Sequence, residues 1–137
     1  MKRLDRKSDC AINFSLETFG DPWSLLIVRD IIFFNKKTFG EFMASDERIG
    51  TNTLSRRLAS LEIQGIITKH PSITDKRKDS YTLTDKGLAL VPILVDLTEW
   101  GATYDSDTGA SPDQVMAMRA NRGAFIKATQ EKVRIGL

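Results

Sequence analysis

Residues 51–64 read TNTLSRRLASLEIQ, and this stretch decides the fold. Its leucines recur at i, i+4 and i+7, which places them on one face of an α-helix: Leu54, Leu58 and Leu61. At about 100° per residue, Asn52 and Arg56 lie nearly opposite that apolar stripe. We therefore predict a helix that is held by its leucines and presents hydrogen-bonding side chains outward. A helix that reads the edge of a nucleic acid duplex has this arrangement.

A short helix is predicted before this stretch and a basic hairpin after it. Thr38 to Ser45 is expected to be helical, and Gly65 stands where a C-terminal helix cap belongs. The β-branched residues 66–73 (IITKHPSI) predict a strand, and residues 80–84 (SYTLT) predict its partner. The polar turn between them, TDKRKD at residues 74–79, would form a basic tip with three consecutive cations: Lys76, Arg77 and Lys78.

Two further helices are predicted near the N-terminus. Residues 10–19 are expected to form the first, which Gly20 ends. Asp21 and Pro22 predict the start of the second, as N-cap and first helical residue. Residues 23–34 (WSLLIVRDIIFF) are apolar on nearly all sides and therefore predict a buried central helix.

Two more helices are predicted after the hairpin. Thr84 is expected to cap a long helix over residues 85–104, with a kink at Pro92 in its middle. Residues 106–111 indicate a linker. A single last helix is expected to begin at SPDQ, residues 111–114, where serine caps and proline takes the first position.

The composition is that of an ordinary soluble protein of one domain, with 137 residues, 41% hydrophobic and 28% charged. No uncharged apolar stretch approaches the roughly 18 residues that a membrane span requires. The basic N-terminus lacks the apolar segment of a signal peptide. One cysteine excludes an intrachain disulfide, so we expect a cytoplasmic protein without membrane contact.

Positive charge gathers on the predicted helix and hairpin, although the net charge is only +2. Residues 47–86 carry eight basic residues against five acidic ones, whereas residues 88–118 carry five acidic residues and no Lys or Arg. A phosphate backbone would favour this distribution. The sequence has no nucleophile elbow, phosphate-binding glycine loop or metal-ligand set, so we expect neither an enzyme nor a cofactor.

The order of four helices, two strands and two helices predicts an α+β, mostly helical fold, the winged helix-turn-helix with a two-stranded wing. Cys10 and five segments follow a family pattern over residues 10–101. The segments are GDPWSLLIVRD (20–30), FGEF (39–42), IGTNTLSRRLASLEIQGII (49–67), YTLTDKG (81–87) and PILVDLTEWG (92–101). In these segments the chain resembles the HxlR-type family of bacterial and archaeal winged helix-turn-helix transcription regulators.

The resemblance implies a homodimeric DNA-binding regulator. It implies that the first helix and the helices after the wing make the dimer contacts. Residues 1–104 would then form the DNA-binding domain with its dimerisation helices, and residues 105–137 a linker and C-terminal helix outside the shared pattern. Members of the family often have Ser where this chain has Gly50, so a phosphate-contacting hydroxyl would move to Thr51.

The outward face of residues 51–57 has two interpretations. Alone it could be an ordinary solvated helix surface, but the hairpin and the resemblance favour DNA contact. Arg56 is expected to pair with guanine and Asn52 with adenine. Arg57 lies nearer the apolar stripe and is expected to brace the preceding helix or contact a phosphate. The hydroxyls are expected at phosphates or bridging waters: Thr51, Thr53 and Ser55.

The three cations at residues 76–78 form either a solvated turn or a phosphate contact, and their place in a wing favours the second. His70 is interpreted as a strand residue, because no second His or carboxylate cluster lies at metal-ligand spacing. Trp23 and Trp100 are expected to be core or interface anchors, and an aromatic effector pocket between them is the alternative.

Cys10 also has two interpretations. It is either a buried structural residue near the dimer interface or a redox or electrophile sensor, since some relatives use a cysteine near this position. Lys7 and the start of the following helix would favour the thiolate form. A single cysteine can only crosslink to the other subunit or form a mixed disulfide.

The expected function is that of a dimeric, sequence-specific transcriptional regulator, and specifically a repressor. Two recognition helices would read a palindromic operator in the major groove, with basic wings flanking them. The expected partners are double-stranded DNA, a second copy of the chain, and a small-molecule or oxidant effector. The alternative from another class is a winged helix used as a protein-interaction module.

Overall fold

The computed structural model describes residues 6–136. This segment is mostly helical and contains one two-stranded sheet. A 3₁₀ turn, Lys76–Lys78, lies between the strands. In chain order the elements are α1 (Ala11–Phe19), α2 (Ser24–Phe33), α3 (Phe39–Met43), α4 (Thr51–Ile63), β1 (Ile67–His70), β2 (Ser80–Leu83), α5 (Asp85–Leu88), α6 (Val91–Tyr104), α7 (Pro112–Ala120) and α8 (Arg122–Ile135).

Helix α2 begins two residues later than the sequence predicts. Trp23, and not Asp21, is the N-cap residue, but Asp21 Oδ2 still accepts hydrogen bonds from the backbone N–H groups of Trp23 and Ser24, each at 2.9 Å. These bonds close a turn over residues 21–23, so Pro22 lies in that turn and Ser24 is the first helical residue. The body of α2 is largely buried, as predicted.

The helix-turn-helix consists of α3, α4 and the turn between them. Thr38 and Glu41 form a reciprocal capping box at the start of α3. The three leucines of α4 are buried, as their spacing predicts. Gly65 follows α4 with φ +74°, the left-handed conformation in which glycine ends a helix at the lowest steric cost.

The wing has a different shape from the predicted hairpin. Strands β1 and β2 are antiparallel and pair from Ile67 with Leu83 to His70 with Ser80. The connection between them is residues 71–79. Its last part, which leads back to β2, contains the three cations in the 3₁₀ turn, and that turn packs against α3. The cations therefore lie beside the helix-turn-helix instead of forming the hairpin tip.

The predicted long helix over residues 85–104 is divided into α5 and α6. Pro92 lies in the first turn of α6 and not in the middle of a helix. Because proline has no N–H, it cannot bond to the carbonyl of Leu88 four residues earlier. That carbonyl instead accepts a hydrogen bond from the Gln130 side chain at 3.0 Å. The prediction of a kinked continuous helix was wrong.

The predicted single C-terminal helix is also divided. Asn121 separates α7 from α8 with φ −154° and ψ 88°, which is not helical. Its side-chain oxygen accepts a hydrogen bond from the backbone N–H of Ala124 at 3.1 Å, so Asn121 caps α8. The chain reverses at this cap, and α7 and α8 pack against each other.

The core lies where α2, α4, α6 and the sheet meet, and α7 and α8 close one side of it. Met118 of α7 and Ile126 of α8 belong to this same buried cluster. The architecture is a mostly helical winged helix-turn-helix with added helices at both ends, as predicted. Within residues 6–136, no helix has the length and apolar character needed to cross a membrane.

Candidate nucleic-acid interface

The outward face of α4 carries most of the predicted contact residues. Thr51, Asn52, Ser55 and Arg56 are exposed, and Thr53 is half-buried. Among the described residues, Asn52 and Arg56 have no hydrogen-bond or ion-pair partner. The amide and the guanidinium are therefore available to an incoming ligand.

Arg57 is directed toward the protein. Its Nε atom is buried and lies 3.6 Å from Asp21 Oδ2, which is an ion pair without a hydrogen bond. Burial alone would raise the pKa of Asp21, but hydrogen bonds from Ser24 and from the backbone, together with the Arg57 charge, hold it below its usual value. The contact favours a bracing role for Arg57, joining α4 to the start of α2.

Two wing lysines are available for ligand contact. Lys76 and Lys78 are exposed and have no ion-pair partner among the described residues. Arg77 is also exposed, but its guanidinium lies 3.4 Å from Asp75 Oδ2. The other Asp75 oxygen accepts a hydrogen bond from the Arg77 backbone N–H at 2.9 Å and caps the 3₁₀ turn.

A buried carboxylate anchors the wing loop. Asp79 Oδ1 accepts a hydrogen bond from the Ser72 backbone N–H at 2.7 Å, and Oδ2 lies 3.6 Å from Lys69 Nζ. The Ser72 hydroxyl in turn accepts from the Asp75 N–H at 3.4 Å. These contacts define the conformation of the loop that carries Ile73.

Ile73 and Lys69 are interface candidates that sequence reasoning missed. Ile73 is fully exposed at the wing tip, although the sequence predicts it as the end of a strand. Pro71, which cannot donate to a strand ladder, was the signal that the strand ends earlier. No local sequence pattern singled out Lys69, because the residue that it pairs with, Asp79, lies on the other side of the hairpin.

His70 and the two tryptophans have structural placements. His70 lies in β1, as predicted, with its Nε2 atom 2.9 Å from the Thr82 hydroxyl. The part of the chain that the structure describes has no group of three or more His, Cys, Asp or Glu side chains that could hold a metal ion. Trp23 is half-buried against the core, and Trp100 is exposed on α6.

An ion-pair network holds the turn before α4 onto α2. The buried Asp30 carboxylate accepts hydrogen bonds from Arg29 Nη2 at 2.7 Å and from the Ser45 hydroxyl at 2.5 Å. Arg29 also donates to both Glu47 oxygens, at 2.6 and 2.9 Å. Lys36 Nζ donates to the Ser45 hydroxyl at 2.8 Å. Because Ser45 and Glu47 belong to the α3–α4 turn, the network positions the start of α4.

The Arg29–Glu47 pair gives the stability a predictable pH dependence. Hydrogen bonds from Arg29 outweigh the effect of burial and lower the pKa of Glu47 from 4.5 to about 2. A lowered carboxyl pKa stabilises the fold above pH 4.5, and this contribution is lost as the pH falls toward 2. Because the pair is partly exposed, we expect a contribution of about 1 kcal/mol or less. Urea unfolding at pH 5 and pH 3 should show a smaller pH-dependent loss in Glu47→Gln than in the wild type; equal losses would contradict this assignment.

Apolar side chains are exposed on two helices. Helix α1 has no buried residue within this chain and exposes Ile12, Phe14 and Leu16. Helix α6 exposes Leu97, Trp100 and Tyr104. Cys10 is the N-cap residue of α1 and is exposed, so it is not a buried structural cysteine within this chain.

Relatives of this chain include helix-turn-helix proteins and a redox regulator. An uncharacterised HTH-type transcriptional regulator of Mycobacterium tuberculosis, Rv3095, is 35% identical over 94 residues, which are 69% of this chain and 58% of the relative. The chain thus spans less than two thirds of that relative. The crystal structure of PA1607 aligns with this chain at a TM-score of 0.65 and a sequence identity of 37%, and the alignment covers 77% of this chain and 72% of PA1607. The redox regulator HypR in its oxidised form aligns at a TM-score of 0.60 and a sequence identity of 30%, and the alignment covers 69% of this chain and 96% of HypR.

The family assignment rests on the segment that contains the helix-turn-helix and the wing. The matched region begins at the end of α1, includes α2 to α6, and ends in the linker before α7. Helices α7 and α8 lie outside it. A family model for the HxlR-like helix-turn-helix matches residues 18–108, and the chain therefore belongs to this family.

Proposed function

We propose that this protein is a homodimeric, sequence-specific DNA-binding transcriptional regulator that represses by occupying a palindromic operator. The observation that carries the proposal is the outward face of α4, where Asn52 and Arg56 are exposed and unpartnered among the described residues. The opposite face is fixed by three buried leucines. A rigid helix with free amide and guanidinium groups suits the pattern of donors and acceptors in a major groove.

Each group on this surface suits a different part of DNA. The Arg56 guanidinium can donate to guanine O6 and N7, and the Asn52 amide can pair with adenine. The hydroxyls of Thr51 and Ser55 would contact phosphates or bridging waters. Lys76 and Lys78 would bind the flanking backbone, and Ile73 at the wing tip would contact the minor groove, where apolar side chains can enter between base steps.

A second copy of the chain would cover the apolar side chains of α1 and α6. Such a dimer presents two α4 helices, which fit successive major grooves about 34 Å apart on a palindrome. The charge distribution supports this orientation, because the wing and α4 are basic whereas residues 88–118, which include all of α6, carry no Lys or Arg.

DNA binding can be tested by fluorescence anisotropy on a random duplex over a series of salt concentrations. We expect log affinity to fall linearly with log salt, because each phosphate contact releases counterions. The rival function, a winged helix that binds a protein, predicts little DNA affinity and little salt dependence. A flat salt response would therefore overturn the proposal.

Arg56 and Lys78 should affect DNA binding differently. After an operator has been selected from a random library, Arg56→Ala should weaken operator binding by about 1–3 kcal/mol and random DNA much less. Lys78→Gln, the control for loss of one positive charge, should weaken both duplexes alike. Anisotropy titrations on the two duplexes measure the difference. Equal losses for Arg56→Ala on operator and random DNA would contradict its role in base reading.

Thiol sensing through Cys10 is a second candidate function. Two observations favour it: the thiol is exposed at the start of α1, and the chain is 30% identical to the redox regulator HypR. Diamide would take two electrons and two protons from a pair of Cys10 thiols, one per subunit, and leave a disulfide. We expect a crosslinked dimer on a non-reducing gel and altered DNA affinity, both absent in Cys10→Ser. Unchanged migration and DNA binding after oxidation would exclude sensing.

A further inference from the structure

A cleft of about 370 Å³ lies between α4 and the returning segment of the wing. Its volume is within the range of small-molecule sites, roughly 300–1,000 Å³. Thr51 and Ser55 line it from α4, while Lys69, Lys76 and Arg77 line it from the wing. The cleft therefore shares residues with the proposed DNA-binding surface.

The lining of the cleft has an apolar part that a phosphate backbone does not require. The side chains of Phe39, Leu58 and Tyr81 contribute to it. Leu58 and Tyr81 are buried, and the Tyr81 ring packs on Phe42 with the ring centroids 6.0 Å apart. A ligand with a flat apolar body fits this lining, because burial of apolar surface in a preformed cleft favours binding.

The Tyr81 hydroxyl is an unused hydrogen-bonding group. Tyr81 is only 5% exposed, and its hydroxyl has no hydrogen-bond partner among the described residues. Burial first, and then the charges of Asp79 and Glu62, raise the pKa of Tyr81, so the phenol stays protonated at neutral pH. Tyr81 lines the cleft together with Asp79 and Glu62, so its protonated hydroxyl is a hydrogen-bond donor for a ligand there.

Lys76 is the cation of the cleft that is free to bind an anion. Lys69 lies 3.6 Å from Asp79, and Arg77 lies 3.4 Å from Asp75, so both have a carboxylate neighbour. Lys76 has none in the part of the chain that the structure describes. An anionic group on the ligand is thus expected at Lys76, because the carboxylates of Asp79 and Glu62 would repel it elsewhere in the cleft.

We propose that this cleft binds a compact aromatic carboxylate that carries a second, uncharged polar group, and that the occupied cleft excludes DNA. The carboxylate pairs with Lys76, the ring lies against Phe39 and Leu58, and the uncharged group accepts a hydrogen bond from Tyr81. Exclusion of DNA rests on the proposed function, since Thr51, Ser55 and Lys76 would serve both ligands. The ligand would therefore act as an inducer that competes directly with the operator.

The site can be tested without DNA by calorimetric titration with 4-hydroxybenzoate. We expect saturable binding with a Kd below about 1 mM, which is modest for a ligand of this size. The neutral analogue 4-hydroxybenzamide, at matched ionic strength, should bind more weakly. Lys76→Gln should lower the affinity for 4-hydroxybenzoate by about threefold to tenfold. Lys78→Gln is the matched control, because Lys78 lies in the same 3₁₀ turn but does not line the cleft.

Tyr81→Phe keeps the ring and removes only the hydroxyl. It should lower the affinity for 4-hydroxybenzoate by about twofold to tenfold and leave the affinity for random duplex unchanged. Absence of saturation at 10 mM, roughly tenfold above the expected Kd limit, would overturn the site. Equal effects of Lys76→Gln and Lys78→Gln would also overturn it.

A DNA titration separates this proposal from the proposed function. Saturating 4-hydroxybenzoate should lower the affinity of the wild type for random duplex. At a subsaturating concentration, the ligand should lower this affinity less in Tyr81→Phe than in the wild type. Unchanged DNA affinity with the ligand bound would overturn the competition. If the protein binds no DNA at any salt concentration, the proposed function fails, and the calorimetric comparison of Lys76→Gln with Lys78→Gln still decides whether the site exists.

Discussion

Replacing Asp30 with alanine is expected to lower the free energy of unfolding by about 3 kcal/mol. Asp30 is 2% exposed, and its carboxylate bonds to Arg29 and Ser45. Its removal takes away the ion-pair partner of Lys36, whose Nζ lies 3.9 Å from Asp30 Oδ2, and the acceptor of the Ser45 hydroxyl. Arg29 retains Glu47, which keeps the loss near the lower end of the range for a broken buried pair.

Urea unfolding followed by circular dichroism would measure this loss. Asp46→Ala is the matched control, because Asp46 is an exposed acid in the same α3–α4 turn and has no partner among the described residues. We expect it to change stability by less than about 0.5 kcal/mol. Asp30→Asn keeps the size of the side chain and so separates loss of charge from loss of packing. A similar small change in Asp30→Ala and Asp46→Ala would show that the network does not stabilise the fold.

The network around Asp30 has a counterpart at the other end of α2. Asp21, just before α2, lies 3.6 Å from Arg57 of α4. Arg29 and Asp30 hold the turn that precedes α4. Because α4 and the turn before it are each tied to α2, the orientation of the reading face depends on α2. We therefore expect Asp30→Ala also to weaken operator binding more than Asp46→Ala does.

Local sequence signals predicted the elements whose determinants are local. The leucine spacing of α4 and the cap at Gly65 were confirmed, because each depends on residues within one or two helical turns. The divisions at Pro92 and Asn121 were missed. The division at Asn121 had a local signal, because asparagine is a favoured N-cap and its side chain bonds to the N–H of Ala124. The division at Pro92 involves a distant segment, because Gln130 satisfies the Leu88 carbonyl from 42 residues away. Such a contact has no sequence periodicity that could reveal it.

The candidate site was predicted in part for the same reason. The helical period was sufficient to place Asn52 and Arg56 on the face opposite the leucines, where the structure has them. The pairing of Arg57 with Asp21 joins residues 36 positions apart and was not foreseen; the sequence predicted only that Arg57 braces the preceding helix or contacts a phosphate. The cleft between α4 and the wing was not foreseen, because it forms only when the 3₁₀ turn of the wing packs against α3.

Replacing Trp100 with aspartate is expected to dissociate the proposed dimer and to weaken operator binding by about 10²–10⁴-fold. Trp100 is 67% exposed on α6, with its ring centroid 5.2 Å from that of Tyr104. Large aromatic side chains that are exposed in a monomer contribute strongly to interfaces, and a charge buried there without a partner is costly. In a dimer, binding of the first α4 raises the effective concentration of the second at its half-site, and a monomer loses this gain.

Ile135→Asp is the matched control for this substitution, because Ile135 is 70% exposed and lies at the end of α8, where the neighbouring Arg134 pairs with Asp85 of α5. Sedimentation velocity would give the oligomeric state, and anisotropy on operator and on a single half-site would give the affinities. Trp100→Asp should lose affinity for the full operator but little for the half-site, whereas Ile135→Asp should change neither. If Trp100→Asp remained dimeric, the face of α6 would not be the interface. A dimer that dissociates without loss of operator affinity would instead show that one α4 helix and one wing suffice for binding.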